Sequence, residues 1–250
     1  MSFCVRVVGV GDAFTTRYWN ACLLVEHDGE RLLIDAPPAL ARALRDLGPR
    51  GGDTVSLDDI DHVLITHLHG DHMGGLEQLL FWRRFVTRRP CALHAAPEVL
   101  AGLWETRLRG GMDTLMDLAG EKHPLRLDDY AAVSPLPPAG EAVTVAGLSV
   151  TWRPTVHHIP TSALRISLGR SSFGYSADTA FDPALLAWLG GSDAFLHETN
   201  LGGVHPRRDR RVGVDPSLRA RMRLIHYPDA LDPATTAIAC AREGDRYDFG

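Results

Sequence analysis

The chain has 250 residues, of which 45% are hydrophobic and 23% charged, and its net charge at pH 7 is −5. This composition argues against disorder, and the length suffices for one full core, so we expect a single domain over residues 1–250. The negative charge argues against general attraction to nucleic acid. No apolar run approaches the roughly 20 residues of a membrane-spanning helix, so we expect no membrane partner.

The cysteines point to a reducing compartment. Four of them are spread along the chain without a CxxC pair. The first residues alternate like a strand and do not match a signal-peptide pattern. Together these features predict a cytoplasmic protein with free thiols.

The start of the chain is typical of strands joined by tight turns, followed by a helix. Asp28-Gly29 is a hairpin signal between two apolar runs, and Gly48-Pro49 closes a helical stretch. The predicted elements are a strand over 3–8, a loop over 9–12, strands over 21–26 and 31–34, and a helix over 39–47.

The residues after the apolar run 62–65 form the most informative motif of the chain. His67 and His69 are two apart in an extended segment, so they point the same way and can hold one ion together. Asp71 and His72 follow at the turn into a helix and can face a neighbouring ion. Imidazole and carboxylate suit zinc, and also iron or manganese. The alternative is a histidine-rich loop in which Asp71 caps the helix.

Beyond this motif, helical patterns give way to alternating strands. Positions 73–120 favour helices, with a short strand near 92–94. Later elements are short β runs at 124–127, 132–136, 142–145 and 148–156, strands over 163–169 and 172–176, a helix over 183–189, a strand over 193–197, a helix over 216–221 and a strand over 222–226.

The sequence His-Leu-His-Gly-Asp-His from His67 to His72 resembles the HxHxDH signature of the metallo-β-lactamase superfamily. That family places further ligands at later strand ends, and the chain has a match at each. Residues 157–166 resemble the pattern H-x2-P-S-x-G-x-R-I, which selects His157, with His158 as the alternative if the register shifts by one. Residues 175–179 resemble Y-S-G-D-T, and His226 follows the last strand.

The resemblance implies a ligand set and a fold. Its motifs span positions 9 to 228, and it implies an α/β protein with a four-layer αββα sandwich. Layering also follows from burying two sheets on one another and covering their outer faces with helices. The implied ligands of one ion are His67, His69 and His157, those of the other are Asp71, His72 and His226, and Asp178 bridges the two.

This ligand set predicts a hydrolase with two divalent metal ions, zinc by preference and Mn²⁺ or Fe²⁺ as alternatives. Two neighbouring cations lower the pKa of a bridging water toward about 7, so a metal-bridging hydroxide can act as nucleophile at neutral pH. Asp71 is then both a ligand and a candidate proton shuttle. The same site suits phosphodiesters, esters, lactones or thioesters. It therefore predicts hydrolysis but does not identify which kind of bond is cleaved.

Three features favour phosphodiesters. Residues 194–200 resemble the H-E-A-T element of ribonuclease Z, in which a histidine–glutamate pair supports catalysis, so His197 and Glu198 are candidate catalytic residues. His205 is a further candidate, for contact with the scissile phosphate. Arginines cluster between Arg207 and Arg223 and can bind phosphate. Each feature has a structural alternative. His197 and Glu198 could simply pack at a strand end, His205 could be a solvated loop histidine, and the arginines could form an exposed basic surface.

We therefore predict a dinuclear phosphodiesterase of the ribonuclease Z-like branch. Its substrate would be an anionic small molecule, a nucleotide or RNA. The long arm with which ribonuclease Z grips tRNA is not evident in the sequence, so a cyclic nucleotide is as plausible as RNA. The alternatives are a lactone, thioester or carboxylic-ester hydrolase on the same ligands, and a non-catalytic metal-binding scaffold. The family resemblance also suggests a homodimer.

Overall fold

The computed structural model describes residues 2–50, 53–199 and 215–250. The strands in these ranges are β1 Phe3–Gly9, β2 Cys22–His27, β3 Glu30–Ile34, β4 His62–Leu64, β5 Ala92–Ala95, β6 Thr114–Met116, β7 Lys122–Pro124, β8 Ala132–Pro135, β9 Ala142–Val145, β10 Leu148–Pro154, β11 Ser162–Leu168, β12 Ser171–Tyr175, β13 Ala194–Glu198, β14 Met222–Ile225 and β15 Arg246–Phe249. The α-helices there are α1 Leu40–Leu47, α2 Gly70–Met73, α3 Leu76–Trp82, α4 Pro97–Leu103, α5 Arg109–Met112, α6 Pro183–Leu189 and α7 Pro216–Arg221.

Two large sheets carry most of these strands. The first has the order β15-β1-β2-β3-β4-β5-β8, and the second has the order β14-β13-β12-β11-β10-β9. In the first sheet β3, β4, β5 and β8 run parallel, and in the second β12, β13 and β14 run parallel. Parallel strands need crossover connections, and their carboxyl ends meet at one edge of the sheet. That edge is where the predicted donors follow their strands.

The apolar faces explain the layering. Side chains of both sheets, such as Leu24 and Ile166, share one buried cluster, to which α1 and α3 add Leu40 and Leu79. A second cluster lies between the second sheet and α6, around Leu185 and Phe195. The predicted αββα fold class is confirmed. In the described part of the chain, every helix is too short or too polar to cross a bilayer.

The region 73–120 departs from its helical prediction. A two-stranded hairpin of β6 and β7 occupies its end and replaces the strand predicted over 124–127. Turn chemistry explains the difference, because the Asp117 carboxylate accepts hydrogen bonds from the backbone N–H groups of Ala119 and Glu121. Gly120 supplies the left-handed backbone at φ 86° that this turn requires.

Candidate metal centre

Four chain segments deliver donor side chains to one edge of the sandwich. The longest is the segment after β4, which carries the HxHxDH motif into α2. The others are the β10–β11 connection with His157, the turn after β12 with Asp178, and the residue after β14, His226. All seven predicted ligands lie in two groups, in each of which the donor atoms are within 4.8 Å of one another.

The first donor group contains three imidazoles and one carboxylate oxygen. The His69 Nδ1 atom lies 3.1 Å from His67 Nε2 and 3.3 Å from His157 Nε2. Asp178 Oδ2 lies 3.6 Å from His67 Nε2 and 3.9 Å from His157 Nε2. These four atoms face a common point, as the ligands of one ion would.

The second donor group is built around the other oxygen of the same aspartate. Asp178 Oδ1 lies 3.2 Å from His72 Nε2 and 3.6 Å from His226 Nε2. Asp71 Oδ2 lies 3.3 Å from His72 Nε2 and 3.2 Å from His226 Nε2. Asp178 therefore turns one oxygen toward each group, which is the arrangement a bridging carboxylate requires.

The residues fit divalent metal ions. Tetrahedral zinc with bonds of about 2.0–2.1 Å places its ligand atoms about 3.3 Å apart, close to the separations found in both groups. The His72 Nε2 and Asp178 Oδ1 atoms are buried and make no hydrogen bond. Buried polar atoms rarely lack partners, and an ion would satisfy both. Imidazole with carboxylate suits zinc, and manganese or iron where more oxygen ligands are present.

Asp35 holds two of the predicted ligand histidines on the side away from the donor groups. It is fully buried, and it accepts hydrogen bonds from His72 Nδ1 at 2.8 Å and from the Thr66 amide at 2.8 Å. The Thr66 hydroxyl donates to Asp35 at 2.9 Å and lies 3.0 Å from His67 Nδ1. These bonds hold the ring nitrogens of His67 and His72 toward the centre. The sequence marks Asp35 as the end of the hairpin, where the family usually has D-x-G, but its supporting role was not predicted; its position directly after β3, beside β4, could have indicated that role.

Glu198 and His197, both predicted to be catalytic, lie in different surroundings. Glu198 is fully buried, and its Oε1 atom is 3.4 Å from His226 Nδ1. It also accepts a hydrogen bond from the Thr179 amide. His197 is outside the donor groups; its ring Nδ1 is 2.9 Å from the carbonyl oxygen of Glu198, and strand alternation puts it on the Phe195 side of β13.

The structure distinguishes the two adjacent histidines of the β10–β11 connection. His157 contributes Nε2 to the first donor group and remains the predicted ligand of the two. His158 is exposed and lies outside that group, with its Nε2 atom 2.9 Å from His69 Nε2. His158 therefore contacts the ring nitrogen of His69 that faces away from the donor group.

The remaining predicted residues have mixed outcomes. His205 and the arginines from Arg207 to Arg211 lie outside the described residues. Arg221 donates to the Ser192 carbonyl at 2.9 Å, and Arg223 donates to the Met222 carbonyl at 2.8 Å. These two guanidinium groups thus bind backbone oxygens of the fold.

The surroundings move the histidine pKa values in opposite directions. Burial, with neighbouring imidazoles, lowers the pKa of His69 and of His157 to about 4. Burial alone would also lower the pKa of His226, but Asp178, Asp71 and Glu198 overcome it and raise that pKa to about 10. Asp178 and Asp35 likewise overcome burial and hold the pKa of His72 well above its usual value.

Three turns around the centre contain a left-handed residue other than glycine. They are Asp35 at φ 64°, Ala177 at φ 50° and His226 at φ 55°. Asp35 supports predicted ligands, Ala177 precedes Asp178, and His226 is itself a predicted ligand. Such conformations are uncommon for residues with a Cβ atom, and they cluster at functional sites.

Solved structures share this architecture. The metallo-β-lactamase fold protein YhfI from Bacillus subtilis superposes with a TM-score of 0.75 at 15% identity, over 99% of this chain and 100% of that one. A diphosphatase of the PhnP family gives 0.71 at 18% identity, over 100% and 98%. These likenesses show the metallo-β-lactamase fold, and the donor groups make the chain a protein of that fold with residues that could hold divalent metal ions.

Sequence relatives narrow this class to one family. The family model described as Anti-Pycsar protein Apyc1 matches residues 3–243. The Apyc1 protein of Paenibacillus harenae is 35% identical over 234 residues, covering 91% of each chain. That of Bacillus phage 010DV004 is 32% identical over 250 residues, covering 95% of this chain and 94% of the relative. The chain belongs to the Anti-Pycsar Apyc1 family.

Proposed function

We propose that the protein hydrolyses the phosphodiester bond of a small nucleotide, with a 3′,5′-cyclic nucleotide as the preferred substrate. The observation that carries the proposal is the place of Asp178 between the two donor groups, with one oxygen within 3.9 Å of ligand atoms in the first and the other within 3.6 Å in the second. We assign His67, His69 and His157 to one ion, Asp71, His72 and His226 to the other, and Asp178 to both.

The bound ions would activate water at neutral pH and neutralise negative charge that develops on the phosphate. The protein supplies their placement. Asp35 and Glu198 hold ligand imidazoles from behind, so the donor atoms keep their geometry while substrate enters and leaves. Asp71 loses its proton easily, because His226 and His72 outweigh its burial and hold its pKa well below the usual value. Its carboxylate is therefore ionised at neutral pH, as a metal ligand requires, and in the proposed mechanism it also relays a proton to the leaving oxygen.

The choice of a small nucleotide over RNA rests on charge and family. The net charge of −5 gives no general attraction for a polyanion. Membership of the Anti-Pycsar Apyc1 family favours the phosphodiesterase branch over lactone or thioester hydrolysis. All four cysteines are free thiols in the structure, which fits the cytoplasm as the place of action.

The test is hydrolysis by protein that has been stripped of metal and reconstituted with zinc or manganese. Bis(p-nitrophenyl) phosphate and 3′,5′-cyclic nucleotides should both be cleaved, and a chelator should abolish the activity. Asp178→Asn should be inactive, whereas the exposed-histidine control His123→Gln should match the parent protein. Protein that carries two ions per chain and cleaves a lactone or thioester but no phosphodiester would refute the proposal.

A further inference from the structure

Exposed large apolar side chains lie in a few places on the described surface. Some lie at the end of α3 and on the π-helical turn Arg83–Thr87 that follows it, including Phe85, and others lie in the β6–β7 hairpin, including Leu118. The other two are Phe14, which is 86% exposed, and Val156, which is 57% exposed. Isolated exposed apolar residues are common in proteins, so position and rigidity must decide whether these two matter.

Phe14 lies on a loop that is fixed to the chain segment carrying His226. The Asp12 amide donates to the carbonyl oxygen of Tyr227, the residue after His226, at 3.2 Å. The Phe14 amide donates to the Asp12 carboxylate at 3.0 Å, which orients the turn. These two bonds join the backbone of Phe14, through Asp12, to the segment that carries His226.

Hydrogen bonds to Asp229 restrict the motion of this loop further. The Asp229 carboxylate accepts hydrogen bonds from the hydroxyl of Thr15 at 2.5 Å and from the amide of Thr16 at 2.9 Å. The loop also packs closely on Gly11, where an added Cβ atom would come within 2.3 Å of the Thr15 side chain. The backbone that carries the exposed Phe14 ring is thus fixed, so this loop loses little further freedom when a ligand contacts the ring.

Val156 lies on the β10–β11 connection, which also carries a predicted ligand of the first donor group. It directly precedes His157, and its carbonyl oxygen accepts a hydrogen bond at 2.7 Å from the amide of Ala180, two residues after Asp178. Each of the two exposed apolar residues thus lies on a segment joined to backbone that carries predicted ligands, Phe14 to that of His226 and Val156 to those of His157 and Asp178.

We propose that Phe14 and Val156 are specificity residues that hold the planar base of the nucleotide whose phosphodiester lies at the donor groups. This inference rests on the proposed function. Every nucleobase has a π-face that can stack on a phenyl ring, and stacking tolerates both purines and pyrimidines. Phe14 supplies the stacking surface, and Val156 supplies apolar contact on the side of His157. The pair therefore selects phosphodiesters that carry a flat ring over those that do not.

The experiment compares Phe14→Ala and Phe14→Trp with the parent protein, using metal-loaded enzyme. The substrates are 3′,5′-cyclic AMP, 3′,5′-cyclic CMP and the base-free 3′,5′-cyclic phosphate of 1-deoxyribose. Phe14→Ala should raise KM for both nucleotides by about tenfold with little change in kcat, a factor within the range of single stacking contacts. It should leave the base-free substrate unchanged, and Phe14→Trp should restore the KM. Val156→Ser should raise the nucleotide KM by a smaller factor.

Two controls make the result decisive. Phe85→Ala removes an aromatic ring of 50% exposure from a different surface and should leave every KM unchanged. The dissociation constants of AMP and CMP, measured by titration calorimetry, should rise in Phe14→Ala as the KM values do. An unchanged nucleotide KM in Phe14→Ala, or an equal rise for the base-free substrate, would overturn this inference alone. Absence of phosphodiester turnover in the parent protein would instead refute the proposed function.

Discussion

The two donor groups of the metal centre use the same side-chain types in opposite surroundings. Around the first group, the ring of the partly exposed His69 and the ring of His157, whose side chain is 2% exposed, lie mainly among other imidazoles, including His158. Around the second group, the buried rings of His72 and His226 are surrounded by carboxylates. Neighbouring imidazoles disfavour a proton on a ring, whereas neighbouring carboxylates favour it.

This difference determines whether the imidazoles of each group are neutral, and so able to bind a cation, at pH 7. With pKa values of about 4, His69 and His157 are neutral at pH 7 and present free lone pairs. With a pKa of about 10, His226 keeps a proton at pH 7 in the absence of metal. A metal ion must displace that proton, because only the neutral imidazole is a ligand. We therefore expect the first group to fill before the second, and over a wider range of pH.

Replacing the shared carboxylate should have the largest effect, because it removes a donor from both groups. We expect Asp178→Asn to lose both ions and to lower activity by more than about a hundredfold, beyond the usual effect of changing a residue behind a ligand. Metal content per chain by mass spectrometry and turnover of bis(p-nitrophenyl) phosphate measure the two effects. His67→Ala should lose the first ion selectively. Parent-level turnover in either variant would show that the ligand assignment is wrong.

The pH dependence of metal uptake tests the contrast directly. Each proton that a metal displaces lowers the affinity about tenfold for every unit the pH falls below the pKa of that ring. Affinity for the second zinc ion should therefore fall steeply from pH 8 to pH 6, and affinity for the first should change little. Competition with a chromophoric chelator at several pH values measures both constants. An equal dependence of affinity on pH for the two ions would contradict the predicted difference between the donor groups.

Two variants of neighbouring residues on β13 distinguish the loss of the carboxylate that positions His226 from general disturbance of the strand. Glu198→Gln removes the carboxylate behind His226, so affinity for the second ion should fall about 10- to 100-fold while the first is unaffected. His197→Gln changes the neighbouring residue, which lies outside the donor groups, and should keep both ions. Zinc titration of the two purified variants provides the measurement. Equal loss of metal in both would point to damage to β13 itself.

His94 shows the effect of an imidazole neighbour outside the metal centre. Its ring is buried, with Nε2 3.1 Å from His62 Nδ1, and burial together with His62 lowers its pKa to about 4. The unfolded chain binds this proton more readily than the folded one, so stability is full above about pH 6.5 and falls as the pH drops toward 4.

We expect this one group to remove about 2 kcal/mol of unfolding free energy between pH 7 and pH 5. Urea denaturation at both pH values should show a smaller loss in His94→Gln than in the parent protein. His123→Gln, which changes an exposed histidine, serves as the control. An equal loss in all three proteins would exclude His94 as the cause.

The sequence indicated which residues the structure brings together in the donor groups, but it indicated less about the residues that support them. His67, Asp178 and His226 could be proposed as ligands because each follows an apolar strand and matches a motif. The motif around Glu198 placed it at a strand end but did not show which of the two neighbours faces the centre, because alternation turns one residue inward and the next outward. The anchoring of the Phe14 loop by Asp229 depends on residues that are far apart in the chain, so local patterns did not reveal it.

The left-handed turns at Asp35, Ala177 and His226 give the centre a cost in stability. A residue with a Cβ atom in this conformation loses about 1–3 kcal/mol relative to a relaxed backbone, and here three such residues surround one site. Ala177→Gly would lower that cost but would let the Asp178 carboxylate swing, whereas a glycine in place of Asp35 or His226 would remove the supporting carboxylate or the donor imidazole itself. The preformed geometry of the donor groups therefore lowers the stability of the fold. Bound ions should raise the melting temperature, because they stabilise the strained conformation.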